Sequence, residues 1–293
     1  MIIAEITGGL GNQMFQYAKG RAVAEALGVE LKLDIHSYHW DSLRTYGLDV
    51  FCLDVPFADR AEIDLQQGKI EAPHSRWKRL LRPFEKKPNH GIWQEASFAF
   101  EEKDLQIPDG KYLRGYWQSP NHFEHIAPMH RKDFAFKAAP PGPVAELLER
   151  MKECTSVALH VRRGDYAQNK STQAFHGLCS LGYFKQGMEY MRQQLQNPRF
   201  FVFSDDPDWA QSSFSKEQDL EVVRLDVPDY EDLRMMQQAG HQIISNSTFS
   251  WWAAWLNSNP NKRVVAPEPW FEDPIIQNKS QSLYLPSWQR LPK

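Results

Sequence analysis

The chain has 293 residues, 42% hydrophobic and 13% aromatic, ample for globular cores and long enough for two domains. A formal net charge of −3 argues against a general polyanion binder, nucleic acid included, while leaving room for a local basic cleft. Cys52, Cys154 and Cys179 are too widely spaced for a disulfide framework or a metal knuckle, no signal-peptide pattern opens the chain, and no segment approaches ~18 consecutive apolar residues, so the expected home is the cytoplasm.

Ile2 to Thr7 reads as a strand, followed by Gly8-Gly-Leu-Gly-Asn-Gln13, a helical pattern from Met14 to about Leu27, and a second strand from Val29 to Asp34. This is a βαβ opening. Gly9 and Gly11 match the first two glycines of a dinucleotide loop, and Asp34 ends the next strand at about the right offset; Met14 stands where a small third residue should let the helix pack closely. These features carry an alternative reading, a nucleotide-dependent oxidoreductase. His36, Tyr38, His39 and Trp40 form a polar-aromatic group suited to walling a sugar site, and Tyr116, Trp117 and Gln118 form a second, though packing serves each aromatic equally well. Between His74 and Lys87 a basic stretch (Arg76, Lys78, Arg79, Arg82, Lys86, Lys87) is interleaved with Trp77, Leu80, Leu81 and Phe84. It is either a surface helix broken at Pro83 or a peripheral contact with an anionic membrane face.

Lys137-Ala-Ala-Pro-Pro-Gly-Pro143 is the clearest linker and sets expected domains at 1–140 and 141–293. After it, Val157, Leu159 and Val161 alternate with Ala158 and His160 in a strand that ends in Arg162-Arg-Gly-Asp165. The loop after such a strand is where open α/β sheets place ligands. Guanidinium groups there would grip phosphate oxygens through paired hydrogen bonds. Arg199 to Ser204 is a further strand, closing on Asp205 and Asp206. Strand and helix patterns then alternate through Leu220 to Leu225, Tyr230 to Ala239 and Ile243. Ser245-Asn-Ser-Thr248 is a run of helix-capping residues before Phe249-Ser-Trp-Trp-Ala-Ala-Trp-Leu256, and the helix N-terminus it opens suits a second set of phosphate oxygens. The alternation with Arg263 to Ala266 favours α/β architecture with parallel sheets.

Three segments in order, GGLGNQMFQYA, HVRRGDY and ISNSTFSWWAAWL, together with Tyr112-Leu-Arg-Gly-Tyr-Trp-Gln-Ser119 and Phe203-Ser-Asp-Asp206, resemble the bacterial, GDP-fucose-dependent alpha-1,2-fucosyltransferases. The resemblance covers most of the chain. It implies two Rossmann-like domains in a glycosyltransferase B-type fold, an N-terminal acceptor side and a C-terminal donor side. It also implies inverting transfer of L-fucose to the 2-hydroxyl of a terminal galactose, on an oligosaccharide or lipid-linked glycan, with no cofactor and no metal. By the same resemblance Gly11, Asn12, His160, Arg162, Arg163, Ser247, Thr248 and Phe249 bind the donor. Arg162 stabilises the leaving diphosphate, with Asn12 reaching toward the diphosphate or the reacting sugar.

Asp205 and Asp206 admit a cation site, recognition of guanine or ribose, or a helix cap before Pro207; metal-independent relatives favour nucleoside recognition by one of them. For the general base Asp165, Asp34, His36 and Glu95 are candidates, with Asp165 placed in the catalytic set. Asp34, His36, Tyr38, Trp117 and Gln118 are the expected acceptor residues. A non-catalytic carbohydrate- or nucleotide-binding protein is the third reading.

Overall fold

The computed structural model describes residues 1–69, 90–164 and 175–293, so Asp165 and the basic stretch from His74 to Lys87 lie outside the described residues. The chain divides into two compact units, Met1–Ala135 and Phe136–Lys293, each built on a parallel sheet. Among the described residues no helix is long and apolar enough to cross a membrane.

In the N-terminal unit β1 (Ile2–Glu5), β2 (Leu31–Asp34), β3 (Gly91–Gln94) and β4 (Lys111–Arg114) lie in the order β2-β1-β4-β3. All three pairings are parallel. Parallel neighbours need crossovers. The first is α1 (Leu10–Leu27), which starts four residues before the expected Met14. Gly9 is its cap, and the Gly9 carbonyl accepts from the Asn12 and Gln13 amides at 2.9 and 3.1 Å, so Gly11 and Asn12 sit in the first turn. Gly28, left-handed at φ 64°, closes the helix. Midway along, a Cβ on Gly20 would come within 2.9 Å of both Ala4 and Leu31. Gly20 therefore supplies the close helix-to-sheet approach that Met14 could not. Three polar side chains of α1, Gln13, Gln16 and Lys19, are buried and partnered: Gln13 binds the Gly8 and Thr45 carbonyls and the Gly47 amide, each at 2.9 Å, and Gln16 pairs with Thr7. Lys19 donates to the Asp104 carbonyl beneath the Trp117 ring, and burial lowers its ammonium to about 8. Among the described residues the unit also holds two shorter helices, α2 (Arg60–Gln66) and α3 (Ala127–Asp133).

The C-terminal unit carries six strands: β5 (Thr155–Val161), β6 (Pro198–Ser204), β7 (Leu220–Val222), β8 (His241–Ile243), β9 (Val264–Glu268) and β10 (Gln289–Pro292). Their order is β10-β9-β8-β5-β6-β7, all parallel. Helix α4 (Gly142–Lys152) begins inside the expected linker. The others are α5 (Leu181–Gln194), α6 (Pro207–Ser213), α7 (Tyr230–Gln238), α8 (Thr248–Leu256) and α9 (Pro274–Lys279). Val157, Leu159 and Val161 on β5 pack with Tyr183, Phe184, Met188 and Met191 of α5, which is why this strand reads as apolar on both faces.

Strand order fixes where a ligand crevice can open. In the C-terminal sheet the chain runs from β5 out to β7, then returns to build β8 on the other side of β5. The N-terminal sheet reverses between β1 and β4. Crevices outside the C-terminal strand ends at such reversals are where open parallel sheets bind ligands.

Candidate functional site

At the reversal between β5 and β8, His160 from β5 and Ser245 from the turn after β8 are joined, Nδ1 to Oγ at 2.8 Å. The imidazole is buried and 5.8 Å from the Phe249 ring. Burial, assisted by the Arg162 charge, depresses His160 to about 3, so the ring is neutral at pH 7.

Beyond β5, Arg162 Nη1 lies 3.1 Å from Asp205 Oδ2, and the Arg163 amide donates to Asp205 Oδ1 at 2.8 Å. The Arg163 guanidinium lies over the Trp209 ring at 4.1 Å, with its Nε 3.6 Å from Asp206. The register explains the meeting: Val161 pairs with Ser204, so the residues after each strand end emerge side by side. Gly164 is needed for the close approach, since a Cβ there would stand 2.6 Å from Asp205 Oδ2. Asp206 caps α6, accepting the Trp209 amide at 3.1 Å. Both carboxylates thus have partners within the protein, Asp205 holding the arginine loop and Asp206 the helix. A helix cap, one of the alternatives the sequence leaves open, is the role Asp206 takes, while the pairing of Arg162 with Asp205 is not among those alternatives.

The four capping-type residues before α8 divide their work. Ser245 serves His160. Asn246 is buried and donates to the His176 and Trp270 carbonyls at 2.7 and 3.1 Å. Ser247 is the cap residue, yet its side chain makes no cap hydrogen bond, so the first-turn amides are not taken up by their own cap. Thr248 and Phe249 open the helix, and Trp251, Trp252 and Trp255 are buried in the core as their spacing implied.

A residue not anticipated is Asp232, in the first turn of α7 where the chain comes off the C-terminal edge of the sheet after β7. Burial, with Asp229 and Glu231 nearby, pushes its carboxyl up to about 7. A carboxyl raised this far above its ordinary range is a functional candidate; the acidic run Asp229 to Asp232 was its only sequence signal.

In the N-terminal unit, Gln118 Nε2 donates to Asn12 Oδ1 at 3.0 Å, bridging the segments after β4 and β1 at the reversal of that sheet. Glu95 holds the Gln118 segment, its carboxylate accepting the Tyr116 and Trp117 amides at 2.6 and 3.0 Å. The turn is tight: Gly115 has φ 156° with no room for a Cβ beside Glu95, and Trp117 has φ 56°. That backbone carries Trp117 inward to 1% exposure against His122, so it does not wall an acceptor site. Tyr38 is likewise committed, its hydroxyl donating to the Gly8 carbonyl at 2.9 Å. Asp34 accepts from the Tyr112 hydroxyl at 2.7 Å and faces His36 Nδ1 at 2.9 Å. Its carboxylate is therefore engaged with protein groups, not placed as the ribose ligand of a dinucleotide loop. A cavity of about 560 Å³ lined by Lys19, Val23, Asp104 and His122 flanks the second half of α1 and contains none of these site residues. Among the described residues no cluster of three or more His, Cys, Asp or Glu side chains is gathered as a metal would require.

The chain is 32% identical to an alpha-1,2-colitosyltransferase of Escherichia coli, with 93% of each chain covered. It is 25% identical to galactoside alpha-(1,2)-fucosyltransferase 1 of Ateles belzebuth, over 96% of this chain and 72% of that one. Its fold is similar to that of the fucosyltransferase NodZ from Bradyrhizobium, with a TM-score of 0.51 at 12% identity over 86% of this chain and 91% of the other. The family model for glycosyl transferase family 11 matches residues 69–291, spanning the arginine loop and the α8 turn that the C-terminal sheet brings to one reversal; the chain belongs to glycosyl transferase family 11.

Proposed function

We propose that this protein is an inverting glycosyltransferase that moves L-fucose from GDP-fucose to the 2-hydroxyl of a terminal galactose, on an oligosaccharide or a lipid-linked glycan. In this reading the units are Rossmann-like domains of a B-type glycosyltransferase, with the donor on the C-terminal one. One observation carries it: Arg162 and Arg163 flank the same sheet reversal as the first turn of α8, tied together by the His160–Ser245 bond.

As the bond from the sugar to the diphosphate breaks, negative charge builds on the phosphate oxygens and fixed donors there lower the barrier. Arg162 supplies paired N–H donors, aimed by Asp205. The first turn of α8, opened by Thr248 and Phe249, supplies a second set, strengthened by the helix dipole, while the Ser247 amide is held by the Ser245 carbonyl at 2.8 Å. Neutral His160 adds no charge and fixes the β5 end against the α8 turn. The charge is met by the protein's own cations, so the reaction needs no metal. The alpha-1,2 linkage and the galactoside acceptor rest on the names of the relatives and on family membership.

A second donor reading has its own support, because the 32% identical relative is a colitosyltransferase. Colitose is L-fucose without its 3-hydroxyl. A site that hydrogen-bonds that hydroxyl rejects the deoxy sugar by about 10⁴-fold, whereas one without such partners discriminates little. The test is to supply GDP-fucose, or its 3-deoxy analogue, with lactose and measure free GDP and trisaccharide. An alpha-1,2-linked product is expected. Binding of GDP without turnover would make the protein a nucleotide-sugar binder, and NAD reduction would restore the oxidoreductase reading.

A further inference from the structure

The geometry points to His36 as the catalytic base that takes the proton from the acceptor hydroxyl, with Asp34 as its positioning residue. The inference rests on the transferase reading above and deepens it. Asp34 is the last residue of β2, and its Oδ1 accepts the His36 backbone amide at 2.9 Å, curling the chain into the 3-10 turn His36–His39. The same oxygen lies 2.9 Å from His36 Nδ1. A carboxylate can only accept there, so Nδ1 carries the proton and Nε2 holds the lone pair, the tautomer a general base requires.

Asp34 is itself fixed. Its side chain is 10% exposed, and Oδ2 accepts the hydroxyl of fully buried Tyr112 on the neighbouring strand. Tyr112 also touches Glu5 at 3.1 Å, and Glu5 holds Arg114 through both oxygens at 3.0 and 3.2 Å. A dyad anchored to three strands is more than a solvated turn needs. His36 keeps 32% of its side chain exposed, and Trp40 at the end of the same turn is 77% exposed, a free aromatic face of the kind on which a sugar stacks. The rival base Glu95 has both oxygens on the amides of Tyr116 and Trp117 and holds a strained turn.

In the step assigned, the acceptor oxygen forms its bond to the anomeric carbon while the bond from that carbon to the diphosphate oxygen breaks. The leaving pair stays on GDP, and the hydroxyl proton passes to His36 Nε2. Charged and titratable groups at the imidazole are Asp34 on β2 and His39 on its own turn, 5.8 Å between ring centroids, and Asp34 in turn links to Tyr112 and Arg114 on β4 and Glu5 on β1.

The experiment uses the full chain with GDP-fucose and lactose. His36→Ala is expected to lower kcat by about 10²- to 10⁴-fold, the range of general-base catalysis, with GDP affinity by calorimetry unchanged. Imidazole added in solution is expected to restore part of the rate. Asp34→Asn, which offers Nδ1 the wrong partner, is expected to lower kcat with little change in the acceptor KM, and to shift the acid limb of the pH profile. Full turnover in folded His36→Ala, or a lost rate that imidazole does not restore at any pH, overturns the assignment. Absence of transfer by the unsubstituted protein would instead sink the transferase reading on which it rests.

Discussion

Arg162 and Asp205 show how a site residue is prepared before substrate arrives. The carboxylate 3.1 Å from one guanidinium nitrogen fixes the rotamer of a long, flexible side chain. A lysine would keep the charge and lose the fork. Arg162→Lys is therefore expected to reduce turnover by at least ~10²-fold, the scale of removing one preorganised donor, in steady-state assays with GDP-fucose. In the proposed mechanism the arginines carry the phosphate charge, so excess EDTA is expected to leave the initial rate intact; loss on EDTA with rescue by Mg²⁺ or Mn²⁺ would refute the metal-free mechanism. That Arg162 and Arg163 follow directly on a buried strand was legible. Asp205 as their partner was not, because the pairing depends on the β5–β6 register across 42 residues of sequence. Trp117 misled for a related reason: whether an aromatic faces solvent was decided by its own φ of 56°.

At the scale of elements, α1 and α8 can be tested separately. Alanine is ordinarily better than glycine inside a helix by ~1 kcal/mol. At Gly20, however, the added carbon would meet the Ala4 Cβ, which cannot move aside, and Leu31, both at 2.9 Å. Overpacking of this kind costs about 1–3 kcal/mol, so Gly20→Ala is expected to destabilise the N-terminal unit, read as a lower urea midpoint. In α8, Ser247→Ala with Thr248→Ala is expected to weaken GDP binding when compared at matched folded fraction; unchanged affinity would leave the turn a structural cap. The first helix and the central β5 strand were readable from pattern and composition, whereas the 14-residue α5 (Leu181–Gln194) was not expected. β3 and β4 were not, being four residues each, Gly91-Ile-Trp-Gln94 and Lys111-Tyr-Leu-Arg114, too short to show alternation.

Across the whole molecule, buried ionisable groups make the two units respond differently to acid. His122 and His130 in the N-terminal unit and His160 in the C-terminal unit are held at about 3 by burial, against an ordinary value near 6.5. Their folded values are depressed, so the stability they leave intact above pH 6.5 is lost as pH falls toward 3, by up to ~1.4 kcal/mol per pH unit for each histidine. Raised carboxyls act the other way, their penalty easing as pH falls: Asp232, at about 7, in the C-terminal unit and Glu95, pushed up by burial, in the N-terminal one, while burial also lowers His241 in the C-terminal unit. Between pH 7 and 5 the N-terminal unit is expected to lose stability through His122 and His130, measured by hydrogen exchange resolved to that unit. His130→Phe is expected to flatten the N-terminal response, since neither nitrogen of His130 makes a hydrogen bond and the ring already packs among Tyr17, Phe123 and Phe134. An N-terminal response left unchanged in His130→Phe would refute this account.

The tryptophans of α8 have an optical consequence. Trp251 and Trp255 are nearly parallel, 12° apart with centroids at 6.3 Å, and Trp252 stands edge-on to Trp251 at 5.2 Å, with Trp288 at 5.9 Å completing the group. Indoles held this close in a chiral array couple their electronic transitions, so the C-terminal unit carries its own near-ultraviolet dichroic signature. The helix that fixes the array is the one whose first turn faces the proposed phosphates, so nucleotide titrations can be followed in the unlabelled protein by the sign and size of that band.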